Sequence, residues 1–552
     1  MNGGEAVAEV LRRARVRTVF GLLGGSMLEL YDALQQQTEI GYVGARDERA
    51  ATHMADGYAR MIGGPGVVLG AQAGPGAANL ATGLAEAHLA YSPVVAIAGM
   101  IPRGHQGRDT FQEIDQQALF TPITKRSFVV PAPERLPEML HEAMRLAMSG
   151  RRGPVVLNVP RDLFAAEVAL EDRFGRLDPQ CGAAPEERQL LAILDLLKGA
   201  KAPVIVAGAG FKWSRGSTAL SALAEAAQIP VAASVGHGDV LPGDHPLFAG
   251  QMGPRGNAVA NHLTREADVI LALGTRLAFN STFHSHDYVS AKAAIVQVDI
   301  EPAALGRYFP VRLAIAADAR VTAEALTSTG LRPGGWQDWL EEFRRRRGDL
   351  QAERAHEAAA ESLPLSPGRV FGELRQALPD DAVITLDTGA MCLQAADRLR
   401  HDQAPGLITP LDFGLVGFGY AAALGAAAAA PERPVVAVMG DGGFGMTMIE
   451  LTTAVQHRLP VVAVVLDNGA WGAEKAYQRD FFDGRFLGAD LVNPPFDQVA
   501  KLCGAQGFAV RAPGETAAAL TAALEARAPA VIHVKVDPDA IQSLRKDLFR
   551  KA

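Results

Sequence analysis

The residues best placed for chemistry lie in GDGGFGMTMIELTTAVQHRLPVVAVVLDN, residues 440–468, where an acidic glycine turn and a carboxamide close two hydrophobic runs. Asp441 and Asn468 are 27 positions apart. The pattern between them predicts a strand (PVVAVMG), a turn, an amphipathic helix (MTMIELTTAVQHR) and a second strand (PVVAVVLDN). Such a right-handed βαβ crossover puts both strand C-termini on one edge of a parallel sheet, so both oxygen groups face one crevice. Mg²⁺ takes hard oxygen ligands in octahedral geometry and shares them with phosphates. Asp441, the Asn468 amide oxygen and the Ala470 carbonyl would form the protein's part of such a shell around a bound diphosphate. Gly440 opens the turn, and Gly442 and Gly443 leave no Cβ where backbone N–H groups and the helix start must approach the anion. Taken alone, GDG is also an ordinary strand-to-helix turn of an α/β domain.

Further polar groups cluster in the first third. In IGYVGARDERAATHMADGYAR a strand ends at the charged turn Asp47-Glu48-Arg49, and Ala51, Met54, Ala55 and Tyr58 follow at helical spacing. Read alone, those charges are a solvated turn. FGLLGGSM carries Gly25, and AQAGPGAANLATGLAEAH places Gln72, Gly74, Pro75, Gly76 and Asn79 at a strand-to-helix turn. GRDTFQEIDQQALF holds Gln112 in a polar loop, and ITPLDFGLVGFGYAAALGAA sets Val416 before an Ala-rich run.

Scaffolding for these groups is legible in the periodicity. Alternating strand and helix patterns run from residue 1 to about 160 and close on GPVVLNVPRD, before a polar, irregular stretch at 163–187. A second alternation passes through APVIVAGAG, PVAASVGHGDV, ADVILALGTRL and AAIVQVDIEP, ending near residue 328. Residues 330–365 mix a charged helix with Gly and Pro turns, which predicts a second linker whose RRRR run is a solvated face. DAVITLDTG, PVVAVMG, PVVAVVLDN and PAVIHVKVD are the strands of a third unit. Runs such as VVAVM are apolar at successive positions, as in parallel sheets covered on both faces. The expected fold is therefore α/β, with three doubly wound parallel-sheet domains at 1–162, 188–328 and 366–536. In the tail, 537–552, IQSLRKDLFRKA (541–552) reads as a short basic amphipathic helix.

Composition narrows the function classes. A chain of 552 residues exceeds what one core holds. With 53 basic against 61 acidic residues, a net charge of −8 and no basic stripe, non-specific nucleic-acid binding is not expected. Cys181, Cys392 and Cys503 lie far apart without a CxxC, which fits a reducing, cytoplasmic setting better than a disulfide framework or a zinc site. The N-terminus enters an amphipathic helix rather than a signal peptide. The longest uncharged stretch, 61–85, is broken by GGPG and AGPGAAN, so no membrane span is expected.

GDG followed by a (D/N)N pair at this spacing resembles the signature of thiamine diphosphate-dependent enzymes. The resemblance implies thiamine diphosphate and Mg²⁺ as cofactors, with Asp441, Asn468 and Ala470 as metal ligands. It also implies Glu48 as the carboxyl at N1′ of the aminopyrimidine, and Gly25, Pro75 and Asn79 near that ring. Gln112 falls on the substrate side, and Val416 is the wedge between the two cofactor rings. Three positions depart from the usual pattern: Asp467 where Asn is common, Asp47 where acetohydroxyacid synthases have His, and Val416 where Met, Leu or Ile is frequent.

The domain order resembles the acetohydroxyacid synthase-like branch, in which the first domain of one subunit faces the third domain of another. A homodimer or homotetramer with active sites at the subunit interface is thus implied. FAD is not expected, because TRLAFNSTF stands where FAD-binding members carry Arg-Phe-Asp-Asp-Arg. No adjacent histidines occur, unlike in pyruvate decarboxylases. GAWGAEKAYQRDFFDGRFLGADL resembles the matching part of sulfoacetaldehyde acetyltransferases, which implies acetyl phosphate and sulfite from sulfoacetaldehyde and phosphate. Within it Glu474 and Lys475 could meet a small anionic carbonyl substrate, or form an exposed helix pair. Two alternatives stand beside this reading: an FAD-free acetolactate-forming carboligase, and a non-catalytic subunit of the same fold.

Overall fold

The computed structural model describes residues 1–177, 182–410, 412–543 and 545. Its eighteen named strands form three six-stranded sheets in which every pairing is parallel. The first sheet contains β1 (Thr18–Leu22), β2 (Gly41–Gly44), β3 (Gly66–Gly70), β4 (Val94–Met100), β5 (Arg126–Val129) and β6 (Val155–Pro160), in the order 2-1-3-4-6-5. The third repeats that order with β13 (Val383–Leu386), β14 (Leu407–Ile408), β15 (Val435–Gly440), β16 (Val461–Asp467), β17 (Gln506–Val510) and β18 (Ala530–Lys535). The middle sheet runs 12-11-10-7-8-9. Its strands are β7 (Pro203–Ala207), β8 (Val231–Ala233), β9 (Phe248–Gln251), β10 (Val269–Leu273), β11 (Ala294–Asp299) and β12 (Leu313–Ala316). The three doubly wound parallel sheets read from sequence are thus present.

Packing divides the molecule unevenly. Val67, Leu69, Val95 and Ile97 fill one face of the first sheet. Val68, Ala96 and Ala98 on the other face belong to a core that continues through Val435, Ala437, Val461 and Ala463 of the third sheet. Two helices, Glu48–Ile62 and Phe418–Ala429, lie inside this shared core. They approach so closely that a Cβ on Gly57 would collide with the Ala422 carbonyl, and one on Gly425 with that of Met54. The middle domain has a core of its own.

Two sequence expectations change. Residues 337–358 form a 22-residue helix, and Trp336, Trp339, Leu340 and Phe343 at its start enter the middle core, so the segment is more than a linker. Its RRRR run is only partly solvated: Arg347 donates to the carbonyls of Pro246 and Asp244. The expected tail helix lies, apart from 541–543 and 545, outside the described residues, as does Cys181. Among the described residues no helix is long and apolar enough to cross a membrane.

Candidate active site

The helix after the glycine turn starts earlier than expected, at Asp441, with Gly440 in extended conformation as its N-cap. In register, Gly440 of β15 pairs with Leu466 of β16. Asp441 and Asn468 therefore leave adjacent strand ends, which stand about 4.8 Å apart in a sheet. Asp441 is 2% exposed and Asn468 is 7% exposed. Among the described residues both polar atoms of the Asn468 side chain are buried without a hydrogen-bond partner, an unusual state for an amide. Ala470 forms an antiparallel bridge with Asp490 whose hydrogen bonds are made by its neighbours, Trp471 N–H to Ala489 and Leu491 N–H to the Gly469 carbonyl. A buried carboxylate and a buried amide thus leave adjacent strand ends, with the Ala470 carbonyl two residues beyond the amide; oxygens of these kinds suit a cation that completes its shell with phosphate oxygens. A Cβ on Gly440 or Gly445 would meet open space. Gly442 and Gly443 have a steric reason to be glycine inside the protein: a Cβ there would strike the Trp471 ring or the Asp387 carboxylate.

Asp467, the departure from the usual pattern, is 1% exposed and fully engaged. It accepts from His533 Nε2 at 2.7 Å, from Lys535 Nζ, from Gly469 N at 3.0 Å and from Asn493 Nδ2 at 3.1 Å. Asn493 Nδ2 also donates to Asp441 at 2.7 Å, so it ties the two carboxylates together. Burial, then the neighbouring Asp467 charge, pushes the Asp441 carboxyl up to about 6. Burial acts on Asp467 too, yet His533 and Lys535 overcome it and hold that carboxyl well below the usual range. A cation at Asp441 would restore its ionised form.

Val416 stands on a segment gripped from several sides. A Cβ on Gly443 would lie 3.5 Å from Val416 Cγ1, which puts the side chain against the glycine turn. Asp387, fully buried at the end of β13, accepts from the N–H of Gly417 at 3.0 Å and of Phe418 at 3.2 Å. It caps the Phe418–Ala429 helix, which Gly417 enters with φ of 87°. No local pattern in the sequence shows this role, since the partners are 30 residues apart. Asn493, His533 and Lys535 were missed for the same reason.

The first-domain half lies at its own sheet switch point, between the ends of β1 and β3. Glu48 opens its helix behind the Asp47 N-cap and is 7% exposed. Its Oε2 accepts from Asn79 Nδ2 at 2.9 Å, and its Oε1 is 3.0 Å from where a Gly76 Cβ would sit. Pro75 is the first residue of the Pro75–Leu89 helix that carries Asn79. Gln72 accepts from Gly25 N at 2.9 Å and donates to Gln112 Oε1 at 2.5 Å. Gln112 has φ of 68°, and its carbonyl crowds Gly74, where a Cβ could not fit. Gly25, Gln72 and Gln112 thus form one hydrogen-bonded group and Glu48 and Asn79 another.

Lys475 does not pair with Glu474. Its Nζ donates to Asp490 Oδ1 at 2.7 Å and lies 5.5 Å from the Phe486 ring centre, while Glu474 is exposed. Their helix, Gly472–Phe481, starts beside the metal-type ligands: a Gly472 Cβ would be 3.1 Å from Asn468 Nδ2. Residues 543 and 545 return over it, Ser543 donating to Asp480 and the Arg545 N–H to the Tyr477 hydroxyl. A cavity of about 290 Å³ opens elsewhere, at the switch point of the middle sheet, lined by Gly210, Trp213, Arg276 and Asp299.

Comparison with known proteins assigns the chain to a family. Residues 1–119 match the description "Thiamine pyrophosphate enzyme, N-terminal TPP binding domain", 190–326 the central domain and 387–534 the C-terminal TPP binding domain. Sulfoacetaldehyde acetyltransferase of Alcaligenes xylosoxydans xylosoxydans is 35% identical over 537 residues, covering 92% of this chain and 88% of the relative. The enzyme of that name from Castellaniella defragrans is 32% identical, covering 100% and 96%. Acetolactate synthase isozyme 2 large subunit of Escherichia coli (strain K12) is 33% identical, covering 97% and 96%. The chain therefore belongs to the thiamine pyrophosphate enzyme family, as a thiamine diphosphate-dependent enzyme related to sulfoacetaldehyde acetyltransferase and acetolactate synthase.

Proposed function

We propose that this enzyme uses thiamine diphosphate and Mg²⁺ to transfer a two-carbon acyl unit, releasing sulfite from sulfoacetaldehyde and delivering the acyl group to phosphate. When bound, the cofactor supplies a nucleophilic thiazolium carbon and a sink for the electron pair of the broken bond. Asp441, the Asn468 amide oxygen and the Ala470 carbonyl hold the metal, and Gly440, Gly442 and Gly443 admit the diphosphate. The unpaired Asn468 amide is the observation that supports a metal there. Glu48 holds a proton at N1′, steadied by Asn79; Gly25 and Pro75 line the ring, Val416 separates the two rings, and Gln112 reaches the substrate.

The two halves of one site come from different subunits in this reading. Within the chain, the Glu48 turn touches the wrong end of the glycine-turn helix. Arg49 meets the Met446 carbonyl, five residues and roughly 7.5 Å along the helix from Asp441, and Arg46 meets Glu450 and Gln456. Leu23, Phe111, Met446, Ile449, Leu487 and Val492, on or near the segments that carry the site, are exposed apolar residues of the kind a partner covers.

The sulfonate reading is carried by the seat of the WGAEK run: Trp471 closes on Gly442, so the segment that resembles sulfoacetaldehyde acetyltransferases forms the wall next to the diphosphate turn. A second reading, acetolactate formation, draws on Lys475, whose charge is already met by Asp490 and is not left for an anion. FAD has no part in either, in keeping with TRLAFNSTF, whose Arg276 is engaged by Asp412 at 2.6 Å. Incubating the protein with cofactor, Mg²⁺ and phosphate separates the two. Sulfite and acetyl phosphate from sulfoacetaldehyde support the first; CO₂ and a hydroxy keto acid from pyruvate, without sulfite release, replace it with the second.

A further inference from the structure

Val416 lies between two backbone amides, each held by a carboxyl group from a different domain. Asp387 of the third domain takes Gly417 N–H, and Glu86 of the first domain takes Leu415 N–H at 3.4 Å. Glu86 sits on the Pro75–Leu89 helix and is fully buried. Behind it stands Arg60, near the end of the helix that Glu48 begins. Arg60 binds both oxygens of Asp56 at 2.7 and 2.6 Å, gives its remaining nitrogen to the Thr409 carbonyl at 2.5 Å, and lies 5.1 Å over the Phe418 ring. Its guanidinium reaches Glu86 only at 3.6 Å. Among the described residues Glu86 Oε1 has no hydrogen-bond partner, so the bond the side chain makes there is the one to the wedge segment. On the outer side, Arg276 and Asn280 of the middle domain hold Asp412 at 2.6 and 2.8 Å.

We propose that Glu86 is a positioning residue: by fixing the Leu415 amide from the neighbouring domain, it sets the backbone from which Val416 projects between the cofactor rings. The proposal rests on the reading of Val416 as the wedge. Its physical basis is that a wedge works by geometry. A side chain that forces two rings together fails when its backbone shifts by a fraction of an ångström, whereas affinity for the diphosphate, anchored at Asp441 and Asn468, is untouched. The placement also joins the two kinds of half-site: the helix that presents Glu48 at one end buttresses, through Arg60 at the other, the wedge segment of its own chain.

The test uses the full-length protein with thiamine diphosphate and Mg²⁺. Cofactor affinity is measured by titration calorimetry, and exchange of the cofactor's C2 proton for deuterium by acid quench and NMR. Glu86→Leu, which removes the acceptor, is expected to leave the dissociation constant within about threefold while slowing exchange roughly 10- to 100-fold. Glu86→Gln, which keeps an acceptor oxygen, is expected to exchange within about twofold of the natural protein. Exchange by Glu86→Leu at the natural rate, or an equal loss in Glu86→Gln, would overturn the proposal. So would parallel losses of affinity and exchange. Glu86→Met serves if Glu86→Leu does not fold, and failure of both to fold while Glu86→Gln folds would mark a structural role and overturn it too. If the natural protein itself neither binds thiamine diphosphate nor speeds exchange, the reading of the site fails first, and separately.

Discussion

At the scale of single residues, the two half-sites make different demands on the cofactor, and substitutions separate them. Glu48→Gln keeps the side chain's shape and its contact with Asn79 but cannot hold the proton at N1′. It should bind cofactor normally and lose roughly 100-fold or more in turnover, as removal of a positioned acid–base group does. Asn468→Ala should do the reverse, raising the concentrations of Mg²⁺ and cofactor needed for saturation. Calorimetry beside steady-state kinetics tells the two apart. Glu86 adds a pH signature. Burial pushes its carboxyl up to about 8 against the pull of Arg60, with Asp56 and Asp412 as the other charges facing it. A carboxyl raised in the folded state stabilises the fold at low pH, and that contribution is lost as pH climbs from about 5 through 8. Glu86→Gln cannot ionise, so its melting temperature should rise relative to the natural protein over that range; a constant difference would refute this. Asp441, Asn468 and Glu48 were legible in the sequence because their motifs are local and regularly spaced. Asn493, His533, Lys535 and Asp387 were not, because each reaches its partner across a fold that no local pattern encodes.

At the scale of elements, strands were read better than helix starts. Successive apolar residues in VVAVM and VVAVVL fit strands buried on both faces, and both are such strands. The two-residue β14 and the half-exposed β17 left no comparable trace. The glycine turn was expected to precede its helix because Gly is a poor helix former. In the structure Asp441-Gly442-Gly443 is the first helical turn, since Trp471 and Asp387 occupy the space that larger residues would need. The same steric logic governs the crossing of the Glu48 and Phe418 helices. Gly57→Val places methyl groups on the Ala422 carbonyl and should destabilise the protein by about 3 kcal/mol or more, read as a fall in thermal midpoint. A midpoint unchanged within error would mean that the two helices do not cross there.

At the scale of the whole molecule, the reading of shared active sites makes a sharp demand on mixtures. Glu48→Gln and Asp441→Asn subunits, each inactive alone, should regain roughly a quarter of natural activity when unfolded together and reassembled in equal amounts, because half the dimers are hybrids with one intact site. No recovery would place both halves of a site in one chain. The core shared by the first and third sheets has a further consequence. The middle domain is an interlude in the polypeptide: the chain leaves one partner, builds a self-sufficient unit, and returns to complete the other. Heating should expose this arrangement as two calorimetric steps, with the flanking sheets melting as one cooperative body although some 220 residues of sequence lie between them.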